Sequence, residues 1–300
     1  MKRYKIKAFL LWLKYFKKGK IHKDWLFQYG WQWLRKTPKN KEVRVNKIFN
    51  IYDIAKLKKY LNEIANFDDQ WFLKIFEPDS LGLAAWEISL FLHRIDVKNI
   101  DLKGKRILIT EGSGSKLADL LAKRGAIVTD LITFGKENWK YGKHRNKNVN
   151  TIVGDVRNLP FENNYFDLVI SISSIQLLDI KEETGFYNKK NFWIRSKKAI
   201  REMIRVLKNK GIIYLTTDFY LPSQKKDNLF RTKNKTIRCA YTWEKLPKML
   251  SFMKKLGVKI KFNVKMQENR LKVRSSKSNF RGRYFTTAAF MGKFKKIKKL

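Results

Sequence analysis

Few residues invite a chemical reading, and they fall between positions 111 and 220. "TEGSGS" brings Glu111 and then Gly112, Ser113 and Gly114. Such a loop lets the backbone approach a ligand closely, and the helix after it offers unpaired N–H groups. A dinucleotide fingerprint needs a third glycine where Leu117 stands, so a pyrophosphate is disfavoured. In "GDVRNLPF", Asp155 is an acid able to accept a hydrogen bond from an adenine amino group, and Val156 offers a backbone N–H to the ring. Asp218, closing "IIYLTTD", is the preferred general base among Asp179, Glu182, Glu183, Tyr187 and Tyr220. Each residue also has an ordinary reading: the glycines as turns, Asp155 as a turn cap, Asp130 as a solvated strand end, Cys239 as a passive thiol. His22, His93 and His144 are scattered and Cys239 is single. No zinc-ligand spacing exists and no internal disulfide can form, so no metal is expected.

These residues sit where strands end. "RILIT" is an apolar strand, Ser115 to Arg124 reads as a helix stopped by Gly125, and "AIVTDLI", "VNTIVGD" and "FDLVISIS" supply three more strands. Phe192 to Lys208 has one apolar helical stripe, and Gly211 opens a fifth strand. "YTWEKLPKMLSFMKKLG" reads as a helix with Pro247 near its start; "VKIKF" and "RYFTTAAFMGKF" supply two last strands. Upstream, Asp79 or Ser80 caps a helix to about Ile95. This alternation predicts an α/β fold with a doubly wound, mostly parallel sheet. Ligands of such sheets bind beyond the carboxyl ends of the strands.

Residues 1–78 differ. They are crowded with Lys, Trp, Phe and Tyr, and are read as a basic, aromatic-rich helical extension ahead of a domain at 79–300. Phe9, Leu13 and Phe16 share one helical side; Ile54, Leu57, Leu61 and Ile64 align in another helix. A cap packed on the main domain fits better than an interfacial membrane helix, since aromatic stripes more often face a core.

The formal charge is +41 and 44% of the residues are hydrophobic, enough for a core. Such charge suggests phosphate-bearing partners or, more simply, a lysine-rich compositional bias; Lys outnumbers Arg, which is the better bidentate phosphate ligand. No stretch reaches the roughly 18 apolar residues of a membrane span, and "AFLLWLKYF" is followed by no signal-peptide cleavage site. A cytoplasmic location is expected.

The ordered blocks "EGSGS", "GDVRNLPFENNYFDLVIS" and "EMIRVLKNKGIIYLTTD" resemble the class I S-adenosylmethionine-dependent methyltransferases, in their small-molecule and glycan branch of type 11. The similarity spans roughly Leu102 to Asp218. It implies a Rossmann-like seven-stranded sheet with an antiparallel last strand, and S-adenosyl-L-methionine as cofactor. It implies that Gly112, Ser113 and Gly114 face the methionine part, with Glu111 on an amino group or a water. Asp155 and Val156 would flank the adenine, and Ser171 and Ile172 would line the cofactor on the acceptor side. The family's ribose-binding acid falls by spacing at Ile132; Asp130, two residues earlier on the same strand face, is its candidate. Two departures stand out: Ser115 replaces the last glycine of the first motif, and Asn209–Lys210 stand where Pro and Gly are common.

"SISS" after the fourth strand lacks the Asp/Asn-Pro-Pro-Tyr/Phe tetrad of adenine amino-methylation, and Cys239 lacks the Pro-Cys context of pyrimidine carbon methylation. A hydroxyl or carboxyl on a small molecule or glycan is the expected acceptor. "VISISSIQLLDI" is similar to members of surface-polysaccharide pathways. An RNA methyltransferase using the basic N-terminal region, or a binding protein that has lost catalysis, are the alternatives. Weak contact of residues 1–78 with an anionic membrane surface goes with the charge.

Overall fold

Strands that are apolar on both sides need cover on both sides, and the sheet is built accordingly. The computed structural model describes residues 44–45, 47–48, 57–68, 83–110, 116–132, 146–175, 178, 192–220, 229–231, 237–239, 245–260, 264–265 and 285–296. In chain order the elements are β1 (Arg44–Val45), β2 (Lys47–Ile48), α1 (Lys58–Phe67), α2 (Leu83–Val97), β3 (Arg106–Ile109), α3 (Lys116–Lys123), β4 (Ile127–Ile132), β5 (Val149–Val153) and β6 (Phe166–Ser171). Then follow α4 (Phe192–Arg205), β7 (Leu207–Tyr220), β8 (Leu229–Arg231), β9 (Ile237–Cys239), α5 (Lys245–Lys255), β10 (Val258–Ile260), β11 (Val264–Lys265) and β12 (Phe285–Phe294).

The main sheet runs β10-β12-β7-β6-β3-β4-β5, and β2 pairs with β12 as an added strand. From β7 to β5 every pairing is parallel. β12 is antiparallel to β7 and to β10. This is the Rossmann-like α/β sheet with an antiparallel last strand that the sequence predicts. β1–β11 and β8–β9 are separate two-stranded pairs.

Two apolar layers cover the sheet. Helices α1, α2 and α3 pack over Ile107, Ile109, Val128, Leu168 and Ile170; α4 and α5 pack over Leu108, Leu131, Val169, Ile213 and Leu215. Alternation along each strand sends neighbouring side chains to opposite layers. Gly125 ends α3 as expected, at a φ of 90°. Its N–H donates to the Ala122 carbonyl and that of Ala126 to Leu121, the paired bonds of a left-handed helix stop.

Three readings are corrected. Helix α4 ends at Arg205 rather than Lys208, because Leu207 already pairs with Phe166 at the start of β7. The "LKNKG" stretch is therefore part of a strand, with a register shift opposite Phe166 to Leu168 and a left-handed Lys210 at φ 68°. A Cβ on Gly211 would lie 2.8 Å from both Leu207 Cδ1 and the Lys208 carbonyl, so this irregular strand start needs glycine there. Third, Arg44–Ile48, read within a helical extension, forms strands; β2 joins Ala288 and Ala289 of β12. Alternating β-branched Val43 and Val45 favour extended backbone. Of the helix read through Ile54, Leu57, Leu61 and Ile64, the part from Lys58 forms as α1, with Leu57, Leu61 and Ile64 buried in the same layer as α2. The expectations for Phe9, Leu13, Phe16 and Ile54 lie outside the described residues.

An ion cluster fastens α1 to this layer. Arg124 donates to Glu63 of α1 at 2.6 and 2.8 Å and to Asp96 of α2 at 2.9 Å, and Lys59 reaches Asp96 at 3.0 Å. Burial pushes the Asp96 carboxyl up, but Lys59 and Arg124 outweigh it and hold it below its usual value.

Candidate functional site

The carboxyl ends of β3, β4, β5, β6 and β7 share one edge of the sheet. At the end of β3, Thr110 is buried, its N–H donating to the Ile170 carbonyl at 2.9 Å, which locks the exits of β3 and β6 side by side. The loop beyond, with Glu111, Gly112, Ser113 and Gly114, lies outside the described residues. Its exit is α3, an eight-residue helix whose Leu117, Leu120 and Leu121 are buried.

Asp130 lies inside β4, not at its end. It pairs in register with Ile109 of β3 and Thr151 of β5, and Leu131 and Ile132 continue the ladder beyond it. Its side chain is on the same face as Val128 and Ile132, under the α3 layer, and is fully buried. The solvated strand-end alternative for Asp130 is thus excluded.

Asp155 follows β5 by two residues and organises a tight turn. The Asn158 N–H donates to its carbonyl at 2.8 Å, and the Arg157 N–H donates to Oδ1 at 2.8 Å. Arg157 also folds back on the carboxylate, Nε at 2.8 Å from both oxygens and Nη2 at 2.6 Å from Oδ2. Burial pushes the Asp155 carboxyl up, but the Arg157 bonds and the charges of Arg157 and Lys198 outweigh it and hold it below its usual value. It is anionic at neutral pH and acts only as an acceptor. Val156 buries its side chain in the α4–α5 layer, and among the described residues its N–H has no hydrogen-bond partner. An acceptor and a donor on consecutive residues suit the edge of an adenine ring.

The turn is braced from below. Glu202 of α4 accepts the Leu159 N–H at 2.9 Å, while Arg205 donates to the carbonyls of Leu159 at 2.9 Å and Phe161 at 2.7 Å. Glu202 and Arg205 are themselves paired at 2.8 Å. The "LPF" and "EMIR" blocks are therefore one assembly, in which an ion pair on a helix satisfies the backbone of the loop that presents Asp155.

Hydroxyls crowd the ends of β6 and β7. Ser171 is buried with its Oγ 2.8 Å from that of Ser174, and Ile172 is buried toward α2. Ser173 has a left-handed φ of 45°, uncommon for a residue with a side chain. Its N–H donates to Thr216 Oγ1 at 2.9 Å and its Oγ donates to Glu87 Oε1 at 2.6 Å. Glu87, on the first turns of α2, is 1% exposed. The same helix is tied to β7 by Tyr214, whose hydroxyl donates to the Glu87 carbonyl at 2.8 Å. Asp218 lies in β7 opposite Thr287 of β12, three residues beyond Leu215, where the parallel pairing with β6 stops. It therefore lies past the level of Ser171, two residues before the strand closes at Tyr220. Asp179, Glu182, Glu183 and Tyr187 lie outside the described residues.

Sequence reasoning singled out Ser171 and Ile172 but missed Glu87, Ser173, Ser174 and Thr216. A signal existed for Glu87: it is the one acid within the apolar run "LAAWEISLFL". Ser173 gave none, since serine does not announce a left-handed backbone.

Residues 111–215 match a family profile described as a methyltransferase domain, of type 11. An S-adenosylmethionine-dependent methyltransferase from Methanosarcina mazei superposes with a TM-score of 0.48 at 15% identity, covering 67% of this chain and 98% of that one. The [4+2]-cyclase SpnF gives 0.46 at 16% identity, over 70% and 81%. An S-adenosylmethionine-dependent methyltransferase from Mesorhizobium loti gives 0.41 at 11% identity, over 66% and 96%. No curated protein matches the chain at a significant level. The sheet order and the matched stretch together define the class I methyltransferase fold. Within this fold, residues 111–215 are a methyltransferase domain.

Proposed function

We propose that the enzyme methylates a hydroxyl or carboxyl oxygen of a small molecule or glycan. The observation that carries this reading is the hydroxyl-lined end of β6 and β7, where Ser171, Ser173, Ser174 and Thr216 stand in place of an amino-methylating tetrad. S-adenosylmethionine, when bound, supplies a methyl group already activated by its sulfonium. The protein's part is then to align, exclude water and take up a proton.

In this reading Asp155 and Val156 hold the purine edge, and the rigid Arg157 and Glu202–Arg205 brace keeps them in place. Asp130, buried beside β3 and β5, is the acid for the ribose. Gly112, Ser113 and Gly114 would face the methionine part, with Glu111 on an amino group or a water. Ser171 and Ile172 form the wall between donor and acceptor. Asp218, past the end of the parallel sheet, is the base that takes the acceptor's proton. Surface-polysaccharide biosynthesis in the cytoplasm suits such an acceptor, and residues 1–78 would give weak contact with an anionic membrane surface. Among the described residues no helix is long and apolar enough to cross a membrane.

The test has two stages. Calorimetry with S-adenosylmethionine should give micromolar affinity; no binding would leave a methyltransferase fold without its reaction. Transfer of labelled methyl to a panel of sugars and hydroxy acids should then mark an oxygen, and Asp218→Asn should slow transfer by roughly 10²-fold or more. A label found only on nitrogen or carbon overturns the acceptor class.

A further inference from the structure

The layer of α4 and α5 has an outer side that packs on neither the sheet nor the site. On α4, Ile194, Lys198 and Arg201 follow one another at spacings of four and three along one side of the helix, and all three are exposed. On α5, Lys248 and Lys255 stand two turns apart on one side and are exposed as well. The seam between the helices is aromatic: Trp193 meets Phe252 edge to face, Lys197 lies over the first ring and Arg201 over the second. Among the described residues, Arg201, Lys248 and Lys255 form no ion pair. The one acid of α4, Glu202, is bound to Arg205 and to the Leu159 N–H, and α5 has none. The outer side is therefore cationic without counter-charges of its own, and it also carries Ile194, 60% exposed. Helix α4 ends where β6 and β7 begin. Its first turn, with Ile194, thus lies at the carboxyl edge of the sheet, and the Lys198 charge acts on the Asp155 carboxylate there. The patch borders the edge that holds the candidate site.

We propose that this outer side of α4 and α5 is a docking surface for an acidic phospholipid bilayer: Lys198, Arg201, Lys248 and Lys255 meet the headgroups, and Ile194 enters the boundary with the acyl chains. Charge complementarity selects an anionic partner, and three features select lipid within that class. Lysines are point charges on flexible stems, which suit a diffuse anionic surface better than a fixed bidentate contact. The rings of the seam are taken up by cations and by each other, which leaves a poor platform for stacked bases. An exposed isoleucine amid cations gains nothing from phosphodiesters, but is buried at a headgroup–acyl boundary. Near an anionic leaflet each basic side chain adds about fivefold in affinity. Docked this way, the molecule holds its carboxyl edge close to the lipid. The docking does not depend on the acceptor proposed above, and it involves none of residues 1–78.

The experiment is flotation of the full chain at about 100 mM salt with vesicles of phosphatidylcholine, alone or with about 30% phosphatidylglycerol. The wild type should float with the anionic vesicles and not with the neutral ones. Arg201→Gln, Lys248→Gln and Lys255→Gln together should weaken that binding by at least about 10-fold. A control triple, Lys58→Gln, Lys103→Gln and Lys105→Gln, removes the same charge from exposed positions on α1 and before β3. Charges there lie farther than a Debye length from a lipid surface on α4 and α5, so the control should lose less than about 3-fold. Ile194→Ser should weaken vesicle binding about 3- to 10-fold and leave the affinity for single-stranded RNA unchanged. Thermal melts and S-adenosylmethionine affinity should match the wild type in every variant, since all these side chains are exposed. A wild type that ignores anionic vesicles overturns the proposal. Equal losses in the two triples also overturn it, because overall charge or residues 1–78 would then carry the contact. So does an Ile194→Ser variant that binds vesicles as before. RNA still held at about 200 mM salt, with the vesicles released, gives the face to nucleic acid and overturns it too. A wild type that floats yet binds no S-adenosylmethionine sinks the donor reading and leaves the docking surface standing.

Discussion

At the scale of single residues, the acids divide between those spent on holding elements together and one, Asp155, that organises a turn at the carboxyl edge of the sheet. Glu202 and Asp96 spend their oxygens on arginines, lysine and backbone. Asp155 grips Arg157 at the turn after β5, and in the function proposed above it also meets the adenine. Replacement Asp155→Asn should therefore weaken S-adenosylmethionine binding by roughly 10-fold, the scale of one charge-assisted hydrogen bond, with only a small shift in melting temperature. A large loss of stability without loss of affinity would reduce Asp155 to a turn cap. The same acids set the response to pH. The carboxyls of Asp96, Asp155 and Glu202 are all held below their ordinary values of 3.8, 3.8 and 4.5 in the folded chain. A folded value below the unfolded one gives stability that is present at neutral pH and is lost as pH falls. Urea denaturation should show constant stability from pH 7 to about 5, then a decline that steepens below about 4.5. Stability that rises on acidification would contradict these pairings.

At the scale of elements, the alternation of apolar strands with striped helices made the central sheet readable from the sequence, because each strand needs cover from consecutive helices. What could not be read was set by partners far away in the chain. Helix α4 stops at Arg205 because Leu207 finds Phe166, 41 positions earlier, as its partner in the sheet. β2 becomes a strand because β12 offers it an edge. Asp130 sits within its strand rather than at its end because β5 continues the pairing through Val153. Periodicity gave α1 its buried stripe, but not its attachment to α2 and α3 through Glu63, Asp96 and Arg124. That attachment is testable. Arg124 is about one-fifth exposed and meets two carboxylates, so Arg124→Ala leaves two partly buried acids facing each other. The cost should be about 1–3 kcal/mol by urea denaturation, well above that of an exposed ion pair. A cost below about 0.5 kcal/mol would mean that α1 is held by its apolar side alone.

At the scale of the whole molecule, charge is distributed by face. Helix α4 carries Arg195, Lys197, Lys198, Arg201 and Arg205 against the single acid Glu202; α5 carries Lys245, Lys248, Lys254 and Lys255 with no acid. The opposite layer of α1, α2 and α3 mixes its bases with Glu63, Glu87, Asp96 and Asp119. A one-sided basic face draws polyanions, which keeps an RNA acceptor in contention as the rival to a small molecule. The aromatic groups on that face decide what kind of binding it permits. Lys197 sits 5.6 Å over the Trp193 ring, Arg201 sits 5.4 Å over that of Phe252, and the two rings meet edge to face at 6.1 Å. Rings already covered by cations and by each other make a poor platform for stacking bases, the contact that lets RNA binding survive salt. Binding through this face should be purely electrostatic. Anisotropy with a labelled single-stranded RNA should show affinity falling by roughly 10³-fold between 50 and 200 mM salt, with no sequence preference. Replacing Arg201, Lys248 and Lys254 with glutamine should flatten that salt slope and leave S-adenosylmethionine affinity intact. An affinity that holds across the range would instead require stacked bases, and the acceptor would then be RNA rather than a sugar or hydroxy acid.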